Sequence, residues 1–124
     1  MKEEIFTLKM NGYCCSQIVM DMGLRRLGRE NPDLIEAMAG LCYGAKCGRL
    51  CGVVSAAVCL LCLADSRAES KGLIQEFLDW FEDAFQELDC EALLGDDPMA
   101  KVEKCPMLVE SGLLKLSELL EWDE

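Results

Sequence analysis

The chain has 124 residues, 52% of them apolar, and a formal net charge of −11, so it reads as one globular domain with a modest core and not as a disordered segment. The charge disfavours nucleic acid and anionic membranes as partners. The absence of histidine removes the usual general base near neutral pH, the usual nitrogen ligand for metals and any Cys-His catalytic pair.

Almost every segment predicts helix. Glu3 to Met10 is a short amphipathic candidate stopped by Asn11-Gly12. Cys15 to Arg29 is a second, with Ile18, Met22 and Leu24 inward and a basic end suited to a helix C-terminus. Asn31 as N-cap and Pro32 at the first helical position start a third, running to about Gly40. The glycine-rich stretch 40–52 reads as loop. The run from Cys51 to about Ala64 is apolar all round and predicts a central, buried helix. Glu69 to Leu88 is strongly periodic, with Leu73, Phe77, Trp80, Phe81, Phe85 and Leu88 on one side. Gly95 and Pro98 break the pattern, and a last helix is expected from Cys105-Pro106 to about Trp122. With no strand and no repeat in view, the expectation is an all-α, compact single domain over residues 1–124, a bundle of five to six helices.

Nine cysteines in so short a chain is the chief anomaly. The opening residues carry acidic groups and no long apolar run, unlike a secretory signal, and the longest apolar stretch, 52–64, is too short to span a bilayer. The expected compartment is the reducing cytoplasm, where thiols persist unless catalytic or metal-bound. Residues 1–64 hold seven Lys/Arg and six Asp/Glu, and residues 65–124 five and seventeen. Most cysteines therefore sit in a near-neutral half. The acidic half reads as a solvated surface or as a docking face for a basic partner.

Cys15, Cys51 and Cys105 fall where helices are expected to begin. The partial positive charge and unpaired N–H groups there stabilise a thiolate, making the sulfur a better nucleophile and ligand. Lys46 and Arg49, beside Cys47 and Cys51, push the same way and single out Cys51 as the most nucleophilic thiol. At 100° per residue, Cys51, Ser55, Cys59 and Cys62 share one helix face and could form a thiol ladder, although Cys59 and Cys62, among Val, Leu and Ala, read more simply as core. Of the vicinal pair Cys14-Cys15, one is expected to face a site and the other to pack. Cys42, Cys47 and Cys51 lack the spacing of a ferredoxin run or a zinc knuckle.

Four stretches carry a resemblance: Gly12-Tyr-Cys-Cys15-Ser16-Gln17, Cys51-Gly52-Val53-Val54-Ser55-Ala56-Ala57, Cys90-Glu-Ala-Leu-Leu-Gly95-Asp-Asp97 and Lys104-Cys105-Pro106-Met-Leu-Val109. In this order they resemble the C-GCAxxG-C-C family of redox-active proteins over nearly the whole chain. Val53 and Ala56 stand where the family has Ala and Gly, and Cys42, Lys46 and Cys47 interrupt its glycine-rich turn. "GYCCSQ" with "GRENPDLIEAMAGLCYG" looks closest to a branch associated with molybdopterin-dependent aldehyde oxidoreductase loci. The resemblance implies Cys15, Cys51, Cys90 and Cys105 as the redox-active set, and it alone adds Cys90. Cys14, Cys47, Lys46, Arg49 and Ser55 are supporting candidates. The leading expectation is reversible thiol/disulfide chemistry with a redox protein partner. Two alternatives stay open: the same four thiolates holding zinc or an iron–sulfur cluster, or a non-catalytic interaction subunit of an oxidoreductase system.

Overall fold

The computed structural model describes residues 1–95 and 97–122. Seven α-helices account for most of these: α1 (Lys2–Met10), α2 (Cys15–Leu27), α3 (Pro32–Ala37), α4 (Gly52–Ala64), α5 (Leu73–Phe85), α6 (Cys90–Leu94) and α7 (Pro98–Leu119). A 3₁₀ turn continues α3 through Leu41, and no strand forms among the described residues beyond one isolated antiparallel bridge, Leu50 with Asp89. The all-α expectation holds. The helix count exceeds five to six because the expected break around residues 89–97 contains the short α6.

Local chemistry sets most boundaries. The Asn31 side chain accepts the Leu34 N–H at 3.1 Å with Pro32 in the first turn, as expected of that pair. Gly28 takes the left-handed conformation that closes α2. The expectation fails at α7, which starts at Pro98 behind Asp97, whose carboxylate accepts the Met99 N–H at 2.9 Å. Pro106 therefore lies inside α7 instead of opening it. A proline there leaves the carbonyl four residues earlier without its helical donor. That carbonyl, Val102 O, lies 3.5 Å from the Lys9 ammonium on α1, which replaces the missing donor.

The core is built around α4. Val53, Val54, Ala56, Ala57, Leu60 and Leu61 have no exposed surface. Helices α2, α5 and α7 pack against it. Helix α2 approaches closely because it presents Gly23 to Leu60, where a Cβ would collide with the leucine methyls. Helix α5 contributes an aromatic row in which Phe77 and Phe81 are fully buried and Phe81 and Phe85 lie 4.8 Å apart. Helix α4 is not buried all round: Cys59 and Cys62 are exposed. The neighbours take its other faces, and this correction to the core expectation leaves the second half of the supposed ladder facing outward.

Candidate functional site: a cysteine-lined cavity

The starts of α2, α4 and α6 converge on one cavity of about 280 Å³. Its wall includes Cys14 and Cys15 from α2, Cys42, Cys51 from α4, Cys90 from α6 and Cys105 from the middle of α7. Apolar groups such as Ile5, Ile18, Val53 and Leu108 fill the rest, with Lys9 and Tyr13 at hand.

Cys51 and Cys90 are brought together by backbone pairing. On either side of the Leu50–Asp89 bridge, the Cys51 N–H donates to Leu88 O at 2.7 Å and the Cys90 N–H to Arg49 O at 2.9 Å. Each cysteine enters its helix directly after this clamp, Cys51 as the N-cap of α4 and Cys90 as the first residue of α6. The two residues are 2% and 5% exposed, and each sulfur shifts the acidity of the other. One proton between two buried sulfurs splits their acidities. The Cys51 hydrogen bond, with the Gly52 and Gly44 N–H groups, brings the Cys90 thiol down to about 7 against the opposing effects of burial and Asp89. Cys51 moves upward, through its hydrogen bond to Cys90, its burial and the nearby sulfurs of Cys90 and Cys15. These opposite directions favour Cys90 as the more acidic of the two sulfurs. The expectation for Cys51 rested on a helix start, which the structure gives it as N-cap of α4, and on Lys46 and Arg49. Both of those side chains are exposed, and Arg49 serves the site through its carbonyl.

The donor Gly44 sits in an unusual backbone. Tyr43, Gly44, Ala45 and Lys46 all have positive φ, from 50° to 66°. Left-handed geometry costs a residue with a Cβ about 1–2 kcal/mol, so this run persists only because the surroundings hold it. Gly44 O accepts the Arg49 N–H at 3.2 Å and the Cys47 thiol at 3.4 Å. A Cβ on Gly44 would collide with the Arg49 carbonyl, the same carbonyl that receives Cys90. Gly52 is needed for a different approach: its hydrogen side faces Cys15 Sγ and Leu41 O, each 3.0 Å from where a Cβ would stand.

The Cys14 and Cys42 sulfurs are bonded to one another, with Cα atoms 6.1 Å apart. Helix α7 closes the wall. Lys104, beside Cys105, donates to Leu93 O at 2.9 Å and so ties α7 to the last turn of α6.

A family model described as "Putative redox-active protein (C_GCAxxG_C_C)" matches residues 13–119. The chain belongs to the C-GCAxxG-C-C family. No curated protein and no solved structure matches it. The four cysteines that the family resemblance singles out, Cys15, Cys51, Cys90 and Cys105, all line the cavity of this C-GCAxxG-C-C protein. Cys105 does so from inside a helix and not from a helix start, which corrects the reason for selecting it. Of the supporting candidates, Cys14 is in the wall, whereas Cys47 and Lys46 are exposed outside it and Ser55 lies half-buried on α4. Both members of the vicinal pair reach the cavity. Cys42 joins as well, a role that no spacing rule in the sequence signalled. Asp96, part of the third family stretch, lies outside the described residues. Among the described residues, no group of three or more Cys, Asp or Glu side chains is gathered tightly enough to hold a metal ion. No helix among them is long and apolar enough to cross a membrane.

Proposed function

We propose that this is a thiol-based redox or redox-accessory protein whose working centre is the Cys51–Cys90 dithiol. The observation that carries the reading is the clamping of two buried sulfurs, Cys51 and Cys90, into one cavity wall by the backbone pairing around Leu50 and Asp89. The Cys90 thiolate attacks one sulfur of a disulfide-bearing partner, which breaks the partner's S–S bond, expels its other sulfur as thiolate and forms a mixed disulfide. Cys51 then attacks Cys90 Sγ. Its proton passes to the departing partner thiolate, leaving a Cys51–Cys90 disulfide and a reduced partner, with two electrons transferred. Cys15 and Cys105, in the same wall, are the further redox-active thiols of the set. Resemblance to the molybdopterin-associated branch supports an aldehyde oxidoreductase system as the partner's setting. A reducing cytoplasm would keep the dithiol primed.

The test is mild oxidation of the anaerobically purified, reduced protein with diamide, followed by peptide mapping. A Cys51–Cys90 linkage, lost in Cys51→Ser and in Cys90→Ser, is the expected result. Stoichiometric iron or zinc on that preparation would make the thiolates ligands and replace the disulfide mechanism. Absence of the linkage at full oxidation, with no metal, would leave the interaction-subunit reading.

A further inference from the structure

Outside the Cys51–Cys90 pair, the cavity wall holds a second sulfur pair whose surroundings are arranged for a different oxidation state from the one it occupies. Ser16, on α2, has no exposed surface. Its hydroxyl donates its single proton to Met38 O at 2.7 Å. The two lone pairs of Oγ remain, and Cys14 Sγ and Cys42 Sγ lie 3.3 and 3.4 Å from that oxygen. A disulfide has no S–H to offer, so in the bonded state these buried lone pairs face sulfurs that cannot donate to them. Two thiols can each donate one hydrogen bond to the same oxygen. Met38 O, 4.0 Å from Cys42 Sγ, is a further acceptor for the Cys42 thiol.

We infer that Cys14 and Cys42 form a second, reversible redox couple of the cavity, and that Ser16 is the positioning residue that favours its reduced form. The couple is separate from the Cys51–Cys90 centre and stands whether or not that centre acts as proposed. Its co-reactant is a small thiol of the glutathione class. Cys14 is the less buried sulfur, and a thiolate entering the cavity meets it there. Attack on Cys14 Sγ breaks the S–S bond, forms a mixed disulfide and expels Cys42 as thiolate. That thiolate takes a proton and donates to Ser16 Oγ. A second glutathione resolves the mixed disulfide, leaving two protein thiols and one oxidised glutathione, with two electrons passed to the protein. The couple also sits where it can matter, because Cys42 anchors the start of the left-handed run whose Gly44 N–H faces Cys90.

The test is an anaerobic titration of the full chain in glutathione buffers of graded ratio, with differential alkylation and peptide mass spectrometry reading Cys14 and Cys42 separately from Cys51 and Cys90. The expected result is half-reduction of the Cys14–Cys42 bond inside the glutathione range. In Ser16→Ala the equilibrium constant should move about tenfold toward the disulfide, a shift of about 30 mV for a two-electron couple. A bond that resists a large excess of reduced glutathione is a structural clamp and overturns the inference. So does an unchanged midpoint in a folded Ser16→Ala protein. If Ser16→Ala does not fold, the wild-type titration decides alone, aided by Cys14→Ser/Cys42→Ser. A redox couple predicts that this double variant keeps its helical circular dichroism and melting temperature, and a structural clamp predicts that it loses them.

Discussion

The split acidity of Cys51 and Cys90 makes a prediction whose sign reverses with pH. In Cys51→Ala the largest influence on Cys90 disappears. Burial and Asp89, which raise the thiol, then oppose the Gly52 and Gly44 N–H groups, and Cys90 returns from about 7 toward its usual value of 9.0. At pH 7 this cuts its thiolate fraction from about one half to about one hundredth, roughly fiftyfold. The more basic thiolate is also the better nucleophile. With a Brønsted slope of about 0.4–0.5, two units of basicity return about six- to tenfold in rate. Net alkylation of Cys90 by iodoacetamide should therefore be about sixfold slower in the variant at pH 7 and about sixfold faster at pH 10, where Cys90 is ionised in both proteins. Access to the cavity is common to both proteins and cancels in the ratio. The assay is peptide-resolved alkylation of reduced protein between pH 5.5 and 10. A Cys90 profile with the same midpoint in both proteins would refute the hydrogen-bonded pair, and a profile without a crossover would refute the assignment of the thiolate to Cys90.

The remaining expectations concern packing and access. Gly44→Ala forces a Cβ against the Arg49 carbonyl at positive φ, so it should cost about 2 kcal/mol or more in a denaturant titration and move the Cys90 alkylation midpoint upward. Gly23→Ala drives a methyl into the Leu60 side chain at the α2–α4 contact and should cost about 1–3 kcal/mol, read the same way, with the Cys90 profile unchanged. Phe81→Ala empties a fully buried site between α5 and the core and should cost about 3–5 kcal/mol. In brief labelling of the native, reduced protein, Cys47, Cys59 and Cys62, all exposed, should react ahead of the buried Cys51. Early loss of Cys51 to the reagent would contradict its burial.

What the sequence disclosed about the site follows from how local each cause is. The start of α4 at Cys51-Gly52 and the cap at Asn31-Pro32 are written within three or four residues, and both stand where the pattern places them. The reading of Pro106 as a helix start used an equally local rule and failed. The donor that makes proline tolerable there is Lys9, 93 residues along the chain from the Val102 carbonyl that it serves. Cys59 and Cys62 read as core because the 52–64 run is apolar on every side, and composition cannot say which side lacks a neighbour. The pairing of Cys51 with Cys90 depends on a two-bond bridge between segments 39 residues apart, formed by residues, Leu50 and Asp89, with no strand pattern around them.

The left-handed run is the clearest case of hidden information. Only Gly44 among its four residues marks a preference for positive φ, and Tyr43, Ala45 and Lys46 argue against it. A strained segment of this kind persists where the rest of the fold fixes both of its ends. Here one end is Cys42, seated beside the Ser16 hydroxyl and Met38 O, and the other is Arg49, whose carbonyl accepts the Cys90 N–H. The three residues that read least like a turn thus lie between the two sulfur pairs. Replacing Ala45 with Gly removes part of that strain without touching a sulfur. It should stabilise the fold by up to about 1 kcal/mol in a denaturant titration, the relief at positive φ being partly offset by the greater freedom glycine gives the unfolded chain. A loss of stability in Ala45→Gly would mean that the run is not strained at that residue.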